Sequence, residues 1–227
     1  MFQPRFAPGW FVAYVVVAGL NVVGGFLDAP ELRTVTKPLL MPLLLGFFVA
    51  SLGGLDHPLA TWVKRALVFS WLGDVLLMGD ADVFFILGIA GFLGAQICYI
   101  AGFGPFIELG PLRAKPWLAL PYVAVGMALL VTLAPDLGVL FVPVTIYAVA
   151  LVTMAVLAVG VSPTTAVGAG LFLISDSLIA LTELSDRLSD AAGTWIMPTY
   201  VVGQALIVVG VLQNLGRLTT APQMVRR

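Results

Sequence analysis

Two aspartates, Asp74 and Asp176, lie inside apolar stretches: Leu72-Gly73-Asp74-Val75-Leu76-Leu77 and Ile174-Ser175-Asp176-Ser177-Leu178-Ile179. An acid at the centre of a membrane helix costs about 2.5–3.5 kcal/mol on insertion scales, so two of them call for a purpose. The expected purpose is a polar cavity in which both face one reacting molecule. One carboxyl, kept neutral, can give up a proton as general acid. The other, ionised, can stabilise a cation and activate water, the division of labour used by glycosidases. Coupled acids titrate as a pair, and the sequence assigns neither role to a particular aspartate.

Helical spacing sets which polar groups can share a face with these acids. Ser70 lies one turn before Asp74, and Glu183 two turns after Asp176; Tyr200 and Gln204 are one turn apart, as are Gln96 and Tyr99. Asn21, at the outward end of the first apolar segment, completes the set. Asn21, Gln96, Tyr99, Tyr200 and Gln204 are the candidate substrate-binding residues, although each can equally bridge or pack helices. Thr36-Lys37-Pro38 reads as the N-terminus of the second span, a site for an anion. There Lys37 can hold a lipid phosphate or simply snorkel to the headgroups. Asn21, Asp74, Asp176, Glu183 and Tyr200 fall in the outer half of the bilayer, with Gln96 and Tyr99 deeper. The cavity should therefore open to the outer leaflet or outer water.

These residues must be positioned by an all-α, polytopic membrane bundle forming a single integral membrane domain over residues 1–227. The chain is 60% hydrophobic and 10% charged with a mean hydropathy of +1.07, against about 25% charged residues in soluble domains. A net charge of −1 offers no footprint for nucleic acid. About eight spans are expected, at 9–27, 38–55, 62–79, 83–104, 116–134, 137–159, 164–184 and 194–216. Short turn-rich links separate them, including Asp28-Ala29-Pro30, Asp56-His57-Pro58 and Gly160-Val161-Ser162-Pro163. The first span is read as retained, because no small-residue cleavage site follows it.

Loops on the side of the termini carry Arg5, Lys64, Arg65, Arg113, Lys115, Arg217, Arg226 and Arg227, and the opposite side only Arg33, Lys37 and Arg187. The positive-inside rule then places both termini in the cytoplasm. Trp10, Trp62, Trp117 and Trp195 fall at span ends, as an interfacial aromatic belt requires. The third and seventh spans echo each other, Gly73-Asp74-x-Leu76-Leu77 against Ser175-Asp176-x-Leu178-Ile179. Each is followed by a helix bearing glutamine and tyrosine, which suits a parallel four-plus-four repeat. Gly88, Gly91 and Gly94 recur every three residues and read as close helix packing. The single cysteine, Cys98, has no internal disulfide partner, and the single histidine, His57, no companion ligands, so no metal and no cofactor is expected. No HExxH, GxSxG or phosphate-loop pattern occurs.

Three ordered motifs resemble the YhhN-type lysoplasmalogenase family over essentially the whole chain. They are Thr36-Lys37-Pro38-Leu39-Leu40-Met41-Pro42, Phe69-Ser70-Trp71-Leu72-Gly73-Asp74-Val75-Leu76-Leu77-Met78 and Ser175-Asp176-Ser177-Leu178-Ile179-Ala180, with Tyr200-x-x-x-Gln204 after them. The resemblance implies an intramembrane hydrolase, in a bacterial plasma membrane, that cleaves the vinyl ether of lysoplasmalogens with Asp74 and Asp176 as catalytic residues. Its partners would be a lysophospholipid substrate and membrane lipids, and its products a fatty aldehyde with glycerophosphocholine or glycerophosphoethanolamine. Where that family pattern has Gly-His-x-x-Tyr in the fourth span, this chain has Gly94-Ala95-Gln96-Ile97-Cys98-Tyr99, with Gln96, which hydrogen-bonds but does not titrate, near the histidine's place. Two other classes fit an apolar bundle with buried acids. A proton-coupled secondary transporter of a small amphiphile would favour discontinuous helices at the acids, and a non-catalytic lipid-binding protein would leave lipid unchanged.

Overall fold

The computed structural model describes residues 7–108, 110–185 and 190–224; Arg5, Arg187, Arg226 and Arg227 lie outside these. Helices α1 (Pro8–Phe26), α2 (Pro30–Leu52), α3 (Pro58–Leu76) and α4 (Asp82–Phe103) are followed by 3-10 turns, the last at Pro116–Ala119. Then come α5 (Leu120–Leu137), α6 (Phe141–Val161), α7 (Pro163–Glu183), a single turn α8 (Asp190–Gly193) and α9 (Ile196–Met224). Proline occupies the first position of α1, α2, α3 and α7, where its missing N–H costs nothing. His57 caps α3 by accepting the Leu59 amide proton on Nδ1, and the Ser162 hydroxyl caps α7 by accepting that of Thr165.

Among the described residues, 7 helical segments are long and apolar enough to cross a membrane, and the chain is an integral, multi-pass membrane protein. The remaining long helix, α3, carries Lys64, Arg65 and Asp74 within its 19 residues. Its charges are accommodated locally. Arg65 stacks over the Trp62 ring at 4.7 Å, while Asp74 turns inward and is buried. Helices α2, α3, α4, α7 and α9 supply much of the core, whereas α1 and α5 present exposed apolar side chains such as Val12, Val16, Leu120 and Val131. In a bilayer those faces meet lipid.

The second span differs from the sequence expectation. Thr36-Lys37-Pro38 does not open a helix, because α2 begins at Pro30 and runs through both Pro38 and Pro42. Thr36 is consequently no cap; its hydroxyl donates back to the Leu32 carbonyl at 2.6 Å. A proline in a helix interior leaves the carbonyl four residues earlier without its donor. For Pro42 that carbonyl belongs to Pro38, and Trp71 on α3 supplies the replacement through Nε1 at 3.0 Å. Lys37 thus projects from the body of a helix, not from an anion-binding terminus.

Two glycine-lined contacts hold the central helices at backbone distance. A Cβ on Gly91 of α4 would lie 2.9 Å from the Gly73 amide nitrogen on α3. A Cβ on Gly168 of α7 would lie 2.6 Å from the Ile207 amide nitrogen and 2.7 Å from the Gly203 carbonyl oxygen on α9. Backbone atoms cannot yield as a side-chain tip can. Gly168→Val should therefore lower the melting temperature of the detergent-solubilised protein, by the about 1–3 kcal/mol typical of overpacking or more. Gly19→Ala, at a lipid-facing glycine with nothing within 4 Å of the added carbon, should leave it unchanged or raise it slightly.

Candidate active site

Helices α3 and α9 run antiparallel, and their polar residues meet in matched pairs one turn apart. The Tyr200 hydroxyl donates to Asp74 Oδ2 at 2.7 Å, and Gln204 Nε2 donates to Ser70 Oγ at 3.1 Å. Gln204 also accepts, on Oε1, a 2.7 Å bond from the Tyr99 hydroxyl of α4. Phe92 and Phe172 pack on the Tyr200 ring at centroid distances of 5.9 and 5.8 Å, and so hold its hydroxyl on Asp74. Ser70, Asp74, Tyr99, Tyr200 and Gln204 are all buried. A buried polar group without a partner costs about 1–3 kcal/mol, and this ladder satisfies its members in series.

Asp176 is held by different helices. Its Oδ2 accepts from the Tyr147 hydroxyl of α6 at 2.5 Å and from Gln96 Nε2 of α4 at 3.3 Å. Its Oδ1, like Gln96 Oε1, is buried with no hydrogen-bond partner. The two acids are therefore dressed crosswise. Asp74 in the first half of the chain is bound by Tyr200 from the second half, and Asp176 in the second half by Gln96 from the first. The two networks share α4, which offers Tyr99 to the first and Gln96, one turn away, to the second.

An apolar cavity of about 360 Å³ lies between α4, α6 and α7, walled by Phe85, Ile89, Phe92, Pro143, Val144 and Ile179. Tyr147 and Asp176 also line it, so one acid faces this cavity directly. At the end of the bundle away from the termini a second cavity, about 590 Å³, shares Phe85, Ile86, Leu140, Ile179 and Leu184 with the first. It adds Arg33, Lys37, Asp80, Asp82 and Glu183. The two form one amphipathic space, with an apolar chamber and a charged mouth.

Of the residues read from the sequence, Asp74, Gln96, Tyr99, Asp176, Tyr200 and Gln204 come together in the two networks, and Lys37 lines the mouth. Asn21 does not join them. Its Nδ2 donates to Thr36 Oγ1 at 2.8 Å and to the Arg33 carbonyl at 3.4 Å, which ties α1 to α2. Two participants carry no motif. Tyr147 binds Asp176, and the buried Tyr14 donates to the Val201 carbonyl at 2.6 Å beside Tyr200. Their signal in sequence is position alone, a tyrosine well away from either end of an apolar helix. Among the described residues no group of three or more His, Cys, Asp and Glu could hold a metal ion.

No solved structure matches the chain. It is 31% identical over 231 residues to proteins named lysoplasmalogenase from Mycobacterium bovis and Mycobacterium tuberculosis, covering 92% of this chain and 86% of each relative. It is 33% identical over 153 residues to lysoplasmalogenase TMEM86B of Sus scrofa, covering 67% of this chain and 64% of that protein. Residues 32–211 match the YhhN family, a stretch that contains both aspartates and every residue that lines the two cavities, and the chain belongs to that family.

Proposed function

We propose that this protein is a lysoplasmalogenase. It would hydrolyse the vinyl ether of a lysoplasmalogen to a fatty aldehyde and glycerophosphocholine or glycerophosphoethanolamine. The observation that carries the reading is the placement of Asp176 in the wall of an apolar chamber with a charged mouth, in a network that shares α4 with the one holding Asp74. Such a space suits a single-chain amphiphile, and relatives bearing that activity in their names support the substrate class.

The chemistry follows from the reactivity of a vinyl ether. Protonation of its β-carbon gives an oxocarbenium ion; water adds to the cationic carbon, and the hemiacetal collapses to aldehyde and alcohol. Tyr147 and Gln96 both occupy Oδ2 of Asp176, so Oδ1 is the oxygen free to carry a proton to the substrate. In this scheme Asp74, fixed by Tyr200, stabilises the cation through its charge. The transporter reading gains nothing, because α3 and α7 run as unbroken α-helix through Asp74 and Asp176.

Asp74→Asn and Asp176→Asn should each reduce aldehyde release from lysoplasmalogen by about 100-fold or more, the scale of a lost acid–base group. Both variants should remain folded and extractable. Lipid mass spectrometry after incubation with mixed lysolipids reads the outcome, and full activity in either variant would end the two-acid mechanism. Tyr147→Phe removes one donor to the carboxylate that forms as Asp176 gives up its proton and should lower kcat about 10-fold or more, as expected for a hydrogen bond to a charged group. The charge asymmetry of the loops supports a mouth at the outer surface and cytoplasmic termini. A cysteine introduced at Asp80 in a Cys98→Ala background should then react with an impermeant maleimide on intact cells, and one at Lys115 should not.

A further inference from the structure

The mouth carries both signs of charge, in an order along the helices that matches the order of charges in a particular head group. Arg33 and Lys37 are one turn apart on α2 and both line the mouth. The rotation of α2 that turns them there is pinned by Asn21, which binds the Arg33 carbonyl and the Thr36 hydroxyl together. Lys37 is half-buried, so the cationic side of the mouth begins inside the bundle. Glu183, which lines the same mouth, stands on the same helix as Asp176, seven residues further out.

That separation provides a length test. Seven residues of α-helix rise about 10.5 Å. In a glycerophosphocholine or glycerophosphoethanolamine lipid, nine single bonds join the ether oxygen to the ammonium nitrogen, about 10 Å when extended. The phosphate lies a little past the middle of that path, between the levels of acid and amine. A vinyl ether beside Asp176 therefore puts its phosphate within the Arg33 and Lys37 side of the mouth and its amine at the level of Glu183.

We infer that the mouth is a subsite for a zwitterionic head group, with Arg33 and Lys37 receiving the phosphate and Glu183 the terminal ammonium. The inference rests on the lysolipid reading above and adds the residues that select the head. Asp80, in the α3–α4 turn, and Asp82, the first residue of α4, also border the mouth, but neither stands on the helix that carries Asp176, as Glu183 does.

Binding tests it apart from catalysis. The purified protein is titrated with hexadecyl-ether lysolipids, which lack the vinyl bond, bearing either phosphocholine or phosphoglycerol. The wild type should prefer phosphocholine. Glu183→Gln should cut that preference about fivefold, the upper range for a solvent-accessible ion pair. Arg33→Gln should weaken both ligands by a similar factor. Equal binding of the two heads by the wild type, or a preference unchanged by Glu183→Gln, would overturn the assignment. So would a preference moved by Asp80→Asn or Asp82→Asn but not by Glu183→Gln. Aldehyde release from the vinyl-ether lipid is measured in parallel: its absence in the wild type removes the proposed reaction while the binding preference still reports on the mouth.

Discussion

Two carboxyls placed away from water in an apolar bundle require hydrogen-bond donors from the protein, and in a membrane those donors cannot be borrowed from solvent. Each helix can offer only the few polar groups its span tolerates. The donors for Asp74 and Asp176 accordingly come from several helices, Tyr200 from α9, Gln96 from α4 and Tyr147 from α6. Satisfying the two acids thus couples both halves of the chain. The glycine contacts between α3 and α4 and between α7 and α9 hold at backbone distance the helices that carry these acids and two of their donors.

The networks differ in completeness, and that difference separates their roles. The ladder of Ser70, Asp74, Tyr99, Tyr200 and Gln204 uses both the donor and the acceptor of its one amide. Such a closed ladder resists rearrangement. Around Asp176 two buried oxygens have no partner, and the acid also borders the chamber. A site meant to receive a water or a substrate group must keep acceptor capacity in reserve, and the Asp176 side does so. The apolar walls beside it strengthen any charge interaction made there. In the proposed reaction they also keep the oxocarbenium ion from indiscriminate capture.

Much of this was legible in the sequence because membrane insertion makes polar residues expensive. A residue that is costly and still present declares itself, which is how Asp74, Asp176, Gln96 and the Tyr200–Gln204 pair are found without coordinates. The helix count follows from hydropathy for the same reason. What local reading misses are compensations supplied from elsewhere in the fold. Pro38 and Pro42 look like the start of a helix, yet α2 passes through both, and the Pro38 carbonyl that Pro42 leaves without a donor is met by Trp71 thirty-three residues away. Asn21 looks like a site residue by polarity and depth, but its donor is spent on α2. Tyr147 has no motif, and only the approach of α6 to α7 shows its value.

The amphipathic space also bears on how the two products of the proposed reaction would part. The aldehyde is a long apolar chain with one small polar end, and the glycerophosphodiester is wholly polar. The chamber is bordered by Ile86 and Pro143, both exposed on the bundle's flank between α4 and α6. Lipid is therefore the nearest apolar phase for a chain leaving by that side. The mouth, lined by Arg33, Lys37, Asp80, Asp82 and Glu183, faces the aqueous end of the bundle. Cleavage between them severs the one bond that had forced both halves to share a site. Each fragment then has its own favourable solvent on its own side, so release needs no opening of the closed ladder that holds Asp74.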